Sequence, residues 1–428
     1  MKPFLSFVLF VCVIFSCRSA DRSTDATLDL SENVEKCIDV VGTLKNAQKQ
    51  CKQFLLSDTQ MKMWESMKED TIVPLEFTEH SMISSIKDVR ISDNNIFVHD
   101  IKSGKIFRFD RKGYFINSIG KVGQGPGEYI HLFYMDIVLD KEEIYLYTNV
   151  GMMIYDFGGQ FIKHIDETLP FDLFNTLEPR FFIHNNQVFL NDRIPVQSKK
   201  DLWSLALVDS QFKVDKKFYN PSYVGMEDEI ISHGTKYDKH ENYWTDGDLL
   251  VDFRNDCFTL SYWGVDTIFK YVDSSAELEP IYNLYMRKRP AFRVSHEWIK
   301  SDDFWRYFWL YDFCDTKDYL YLSVCVDENK YNLRYDKQNG NVSFVKDFVQ
   351  FREANLAGFR YRRIKNPQFE FVNDFFSNTK FIVQYKSCGY YVCEVPVEVF
   401  NNEASKYGFA PNDLQEEGNS VLLIATLK

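Results

Sequence analysis

The feature that most constrains this chain is a run of short strands that returns at a fixed distance. Residues 96–129 read IFVHDIKSGKIFRFDRKGYFINSIGKVGQGPGEY. Ile96, Val98 and Asp100 share one face of an extended segment, and Phe97 and His99 the other, because strand side chains alternate. Ile106, Arg108 and Asp110 alternate with Phe107 and Phe109 in the same way. Lys102 to Lys105 between them is turn chemistry, with Gly104 free to take positive φ. Arg111 to Gly113 is a second turn, leading into Tyr114 to Ile119. The outline then repeats: Ile144 to Tyr147 stands for Ile96 to His99, and Ile154 to Ile162 for Arg108 to Ile116. Asp110 and Asp156 are 46 residues apart, as are Gly113 and Gly159. A period of about 40–50 residues built from four short strands is the mark of a β-propeller blade.

The rest of the chain divides on the same plan. Blade one covers about 80–120 and blade two about 130–167. Blade three takes Arg180 to His184 and Gln187 to Leu190, a hairpin around Asn185 and Asn186, with Trp203 to Asp209 as its third strand. Blade four takes Leu249 to Phe253, Cys257 to Leu260 and Thr267 to Tyr271, and blade five Phe308 to Phe313, Tyr319 to Val324 and Asn332 to Asp336. Blade six takes Phe371 to Phe376, Lys380 to Tyr385 and Tyr390 to Val395. Glu277 to Asp303 carries Pro280 and Pro290 and reads as an insertion; Val397 to Phe409 reads as helix. An aromatic content of 16%, with 38 Phe and 25 Tyr, suits packed sheets better than a helical bundle. The expected fold is all-β, a six-bladed propeller with a short helical N-terminal segment. A ring must close, so Ile72 to Phe77 and Val421 to Thr426 are expected in one closing region.

The segment from Val98 to Tyr129 resembles an NHL-type propeller repeat. More closely, the chain resembles the six-bladed β-propeller lipoproteins common in Bacteroidota. The residues that carry the resemblance are Val73 to Leu75, Gly123 to Tyr129, Asp266 to Phe269 and Asn419 to Ile424. The resemblance implies the fold and an extracytoplasmic location. It implies no reaction.

Met1 to Cys17 reads as a targeting segment. Lys2 gives a positive start, and the apolar run Phe4 to Phe15 is too short to span a bilayer and stay. Ile14 to Cys17 then reads as a lipobox, which makes Cys17 the acylated N-terminus; the alternative is an ordinary leader cut near Ala20. The expected layout is a lipoprotein signal peptide over 1–17, a tether and helical insertion over 18–70, and the propeller over 71–428. Val34, Ile38, Val41, Leu44, Ala47, Cys51, Phe54 and Leu55 fall at helical steps, giving helices that pack on the propeller or dock a partner. The protein is therefore placed as an outer-membrane lipoprotein, on the periplasmic or the cell-surface side.

A net charge of −12 argues against a nucleic-acid surface, which needs clustered Lys and Arg. Of nine cysteines, seven remain beyond Cys17; Cys37 with Cys51, and Cys388 with Cys393, are the pairs whose spacing suits a bond, and otherwise they read as small buried apolar residues. The loop Gly123, Gly125, Pro126, Gly127 reads as a structural turn between blades, and it brings Glu128 and Tyr129 toward the channel mouth as ligand-binding candidates. Tyr243 and Trp244 are further candidates, because aromatic faces stack on sugar rings. No two histidines show metal-ligand spacing; His233 and His240 flank an acidic stretch that reads as a solvated loop. No cofactor, metal site or catalytic set emerges. The expected function is a lipid-anchored scaffold that binds a protein or glycan on its channel face. The alternative is a metal-dependent propeller hydrolase, lactonase or lyase, which fold alone does not exclude.

Overall fold

The computed structural model describes residues 36–37, 72–165, 180–191, 203–209, 212–221, 227–228, 249–254, 257–262, 265–284, 309–326, 329–348, 351–356, 359–364, 370–372, 380–403 and 418–426. Six antiparallel sheets stand around an axis as the blades of a propeller. From the axis outward, blade one is Ile86–Ile91, Asn95–Asp100, Lys105–Asp110 and Phe115–Ile119. Blade two is Leu132–Val138, Glu143–Thr148, Gly151–Asp156 and Phe161–Ile165, and blade three Arg180–His184, Gln187–Asn191, Trp203–Val208 and Val214–Tyr219. Blade four is Leu249–Phe253, Phe258–Tyr262, Thr267–Val272 and Glu277–Asn283, and blade five Trp309–Asp315, Tyr319–Val326, Asn329–Asp336 and Val342–Phe348. Blade six is Tyr385–Ser387, Tyr390–Val395 and Val421–Thr426, completed on the outside by Ile72–Pro74.

The ring closes where expected. Ile72 pairs with Leu423, Val73 with Leu422 and Pro74 with Val421. Asn419 reinforces this join. Its Oδ1 accepts the Ile83 N–H at 2.8 Å, and its Nδ2 donates to the carbonyls of Glu76 at 2.8 Å and Ser81 at 2.7 Å. One buried side chain from the C-terminal strand's approach thus ties down the chain that leads from the closing strand into blade one.

The repeat has a physical cause in the turn between third and outer strands. Asp110 Oδ1 accepts the N–H groups of Lys112 and Tyr114, and Asp156 Oδ1 accepts that of Gln160. Asp209 and Asp336 do the same in blades three and five. Gly113 and Gly159 sit at φ 91° and 89°, where L side chains are strained. A Cβ at Gly113 would lie 2.0 Å from the Pro74 carbonyl oxygen, and one at Gly159 2.8 Å from that of Ser118. In blades one and two this turn presses on the outer strand of the blade before it, so its backbone must lack a side chain there; blade three carries Phe212 at the same place, at φ 61°.

Several expectations need correction. Glu277–Asn283 is the outer strand of blade four, with Pro280 inside it; an outer strand tolerates proline because its free edge needs no donor there. In blade six, Glu370–Val372 and Lys380–Ile382 form a separate two-stranded sheet, and the inner strand is Tyr385–Ser387. Lys36 and Cys37 lie within the stretch of helical periodicity but form a strand; the rest of 18–70 lies outside the described residues. Cys388 and Cys393 are both free thiols. The hairpin at Asn185 and Asn186 has positive φ at both, 47° and 61°. A short helix spans Val397–Glu403.

Val73 is buried against Val89, Phe109, Leu422 and Ile424. Val73→Asp places an unpaired carboxylate in this closing seam and is expected to cost at least about 3 kcal/mol. Urea unfolding measures it; an unchanged midpoint would mean that the ring closes without this strand.

Candidate functional site

The inner strand of each blade has no sheet neighbour on its axial side, so its N–H groups need other acceptors. The sequence supplies them as side chains. Val89, Ile137 and Phe313 donate to the carboxylates of their own preceding residues, Asp88, Asp136 and Asp312, at 2.8, 3.0 and 2.9 Å. Three more bonds cross from blade to blade. The Ile183 N–H reaches Asp136 Oδ2 at 2.6 Å, the Asp315 N–H reaches Asp252 Oδ2 at 2.6 Å, and the Ile91 N–H reaches Ser387 Oγ at 2.8 Å.

Two cations complete this belt. Arg90 donates through Nε to Asp136 at 2.9 Å and through Nη1 to Asp88 at 2.5 Å. Lys386 donates to Asp312 Oδ1 at 2.6 Å and to the Phe313 carbonyl at 2.5 Å. Arg90 thus joins blades one and two, and Lys386 joins blades six and five. Lys337 adds a pair to Asp315 at 2.5 Å. Burial pushes the Asp88 and Asp136 carboxyls upward against the pull of Arg90. Burial lowers Lys386, but Asp312 and its neighbours overcome this and hold it charged.

Asp252 stands apart within the belt. It is fully buried, its Oδ2 also accepts the Tyr391 hydroxyl at 3.0 Å, and its Oδ1 has no partner. Burial pushes its carboxyl up to about 7; Lys386 and the Asp315 N–H pull it down less. On the second strand of blade one, His99 is buried with both ring nitrogens unpartnered, and desolvation lowers it to about 4, so it stays neutral.

A second surface forms at the starting ends of the inner strands. Asp100 pairs with Ile86 and Thr148 with Leu132, so the turns that follow Asp100 and Thr148 lie at that end. The loop 120–131 enters blade two there as well. Met82, Ile101, Val122, Ile130 and Val150 expose 54, 53, 45, 45 and 41% of their surface on these loops. Grouped exposed apolar residues mark interaction sites more often than scattered ones do. The loops are held, not loose: Asn149 Oδ1 accepts the N–H groups of Ile130 and His131, each at 2.8 Å, and Asp100 Oδ1 accepts those of Ser84 and Ser85.

The residues singled out in the sequence fall differently. Glu128 bonds the Gly125 N–H at 2.8 Å and pairs with Lys121, which holds its carboxyl below the usual range. It stiffens the Gly-rich loop and leaves Lys121 at the surface. Tyr129 is fully buried between blades one and two, and its hydroxyl donates to the Gly104 carbonyl at 2.7 Å. It fastens the loop to blade one and offers no surface to a ligand. Tyr243, Trp244 and Cys17 lie outside the described residues, as do His233 and His240. Charges interrupt the apolar alternation of the inner strands, which hides the belt residues from a reading by pattern. A signal was present: Asp followed by an apolar residue recurs as Asp88-Val89, Asp136-Ile137, Asp252-Phe253 and Asp312-Phe313. Among the described residues, no group of three or more His, Cys, Asp or Glu has the geometry to hold a metal ion.

A family model described as a domain of unknown function, DUF4934, matches residues 49–426. No curated protein matches the chain. Among solved structures, a Bacteroides fragilis protein named as exported superposes with a TM-score of 0.54 at 17% identity, over 85% of this chain and 97% of its own. A member of the DUF4221 family from Bacteroides vulgatus superposes with a TM-score of 0.42 at 14% identity, over 70% of this chain and 97% of its own. The first likeness shows the shared fold.

Two substitutions test the belt. Arg90→Met leaves Asp88 and Asp136 buried without their cation and is expected to cost about 3–5 kcal/mol. Adding Asp88→Asn and Asp136→Asn should recover much of it in chemical denaturation; no recovery would mean that Arg90 acts through packing alone. For Asp252, the folded carboxyl near 7 lies above its unfolded value, so the folded state binds the extra proton between about pH 4 and 7. Stability from this group is present at low pH and lost as pH rises through 7. Asp252→Asn should flatten that slope, on the order of 4 kcal/mol across the window. Parallel pH profiles of thermal midpoints for the two proteins would refute it.

Proposed function

The chain belongs to the family defined by the domain of unknown function DUF4934, and from that footing we propose that it is a lipid-anchored, extracytoplasmic propeller that binds a protein or glycan ligand. The observation that carries this reading is how the charged side chains of the inner strands are used. Asp88, Arg90, Asp136, Asp312 and Lys386 bond to one another and to inner-strand backbone. Asp252 and Ser387 bond to backbone across blades. Axial carboxylates that serve blade cohesion are poorly placed to serve turnover. The apolar loops around Ile101, Val122 and Ile130 supply a ligand surface instead, and Lys121 and Lys102 edge it with charge.

The anchor rests on the leader pattern ending at Cys17. Two or three acyl chains there hold a protein to a bilayer by the free energy of each buried methylene. Tyr243 and Trp244 extend the same proposal as aromatic contacts for a glycan. The rival reading, a metal-dependent hydrolase, predicts stoichiometric calcium or zinc copurifying at the axis.

Two measurements decide. Metabolic labelling with an alkyne palmitate should tag the full chain and be lost in Cys17→Ala; an untagged wild type, or a tagged variant, rejects the anchor. A photo-crosslinking side chain at Val122 in intact cells should capture a discrete adduct that the same group at exposed Tyr219, on blade three, does not. Equal capture at both positions would reject the loop surface.

A further inference from the structure

The inner strands of blades one and two are both irregular near their starting ends. The register shifts between Ile86 and Asp88 in blade one, and between Leu132 and Tyr134 in blade two. An extra residue of this kind re-aims the side chains around it. In blade one the extra residue is Lys87. Its ammonium lies over the ring of Tyr134, 5.0 Å from the centroid, in the seam between the two blades. The belt cations Arg90 and Lys386 are paired with carboxylates. Lys87 is half-buried, and among the described residues its ammonium has no carboxylate or other hydrogen-bond partner.

His99 faces the same seam. It stands opposite Asp88, next to Lys87, in the strand pairing of blade one. It shares a strand face with Phe97, whose ring lies 4.6 Å from that of Phe157 in blade two. After desolvation, the charge of Lys87 is what lowers His99 most. A neutral imidazole carries one donor and one acceptor, and here both are buried without a partner. Such orphans cost free energy that a bound group recovers. An unpaired cation beside an unpaired imidazole N–H is matched to an oxygen acceptor.

The charges nearby decide which acceptor. Asp88 and Asp136 share the single cation Arg90, so a doubly charged phosphate meets more repulsion here than a carboxylate does. The neighbouring side chains decide what carries it. Lys87 covers one face of Tyr134, which leaves less ring for a sugar to stack on. The adjoining loops offer aliphatic groups instead. The Ile101 N–H bonds the Ser85 carbonyl at 3.0 Å, two residues before Lys87, and Ile101 and Met82 are exposed.

We propose that Lys87 and His99 form a carboxylate-binding site, at the seam of blades one and two, for an acidic residue of a protein ligand flanked by aliphatic side chains. This rests on the reading of the propeller as a binding protein and names the chemistry of its ligand. The guest carboxylate draws the ammonium off the Tyr134 ring and accepts the imidazole N–H. Its aliphatic neighbours cover Ile101 and Met82. A cation over a ring at a partly exposed site is held weakly, so the exchange favours the charge-assisted hydrogen bond.

Calorimetric titration of the full chain tests this with the blocked peptide acetyl-Ile-Glu-Ile-amide, the same peptide with Gln, and glucuronate. The Glu peptide should bind at least about tenfold more tightly than the Gln peptide, the increment of one hydrogen bond to a charged group. Lys87→Met keeps the apolar stem and should abolish that preference with an unchanged thermal midpoint; Lys87→Arg should retain it. His99→Phe should weaken the preference without lowering the midpoint, since the fold loses no hydrogen bond. Equal or undetectable binding of the two peptides, or a preference that survives Lys87→Met, overturns the site. Glucuronate bound more tightly than the Glu peptide overturns the protein ligand in favour of a glycan. The Val122 crosslink is read separately: an adduct without the carboxylate preference keeps the loop surface and overturns the site, whereas the preference without an adduct keeps the site and rejects the loop surface.

Discussion

Everything in this ring depends on what happens to the free edge of each inner strand. A sheet that ends at an axis leaves N–H groups facing a narrow space, and unpaired polar groups there would cost more than the hydrogen bonds elsewhere gain. The chain answers with short side chains whose oxygens reach those groups. Asp136 illustrates the economy of the device: it accepts the Ile137 N–H of its own strand, the Ile183 N–H of the next blade and the Arg90 guanidinium of the previous one. One carboxylate thus holds three blades at one point. Asp252 likewise joins blade four to blades five and six, and Ser387 joins blade six to blade one.

Outside the belt, cohesion is apolar and aromatic. Phe182, Phe189, Phe258 and Tyr271 pack with ring centroids about 5 Å apart between blades three and four. Met135, Tyr129 and Phe97 fill the seam between blades one and two. These seams explain the high Phe and Tyr content better than a glycan-binding surface does. The outer strand of blade two is the opposite case. Phe161 to His164 are exposed along their length, and the turn before them, at Gly159, presses on the outer strand of blade one at Ser118.

The starting ends of the inner strands differ in character from the strands themselves. At their starting ends, loops from blades one and two carry exposed Ile, Val and Met on stiff hydrogen-bonded frames. Along their length, charges are internal to the structure. That division separates what holds the molecule together from what it can present to a partner. It also explains why Tyr129, so suggestive in a Gly-Pro-Gly loop, faces inward: the loop needs an anchor to be a surface at all.

The repeating unit is written in the order of a few adjacent residues. Asp110 with Gly113 and Asp156 with Gly159 are local turn chemistry, legible because an Asx turn and a positive φ depend on a few adjacent residues. The hairpin at Asn185 and the closing segments were legible for the same reason, with strand propensity added. The inner strand Ile86–Ile91 was hidden, because Asp88 and Arg90 break its apolar pattern and no local rule says what they meet. Their partners come from the closed ring. Arg90 finds Asp136, Lys386 finds Asp312 and Asp252 finds the Asp315 N–H because closing a ring of six blades brings their inner edges to one axis. Electrostatic partners so far apart in the chain are chosen by geometry, and a linear pattern carries no record of that choice.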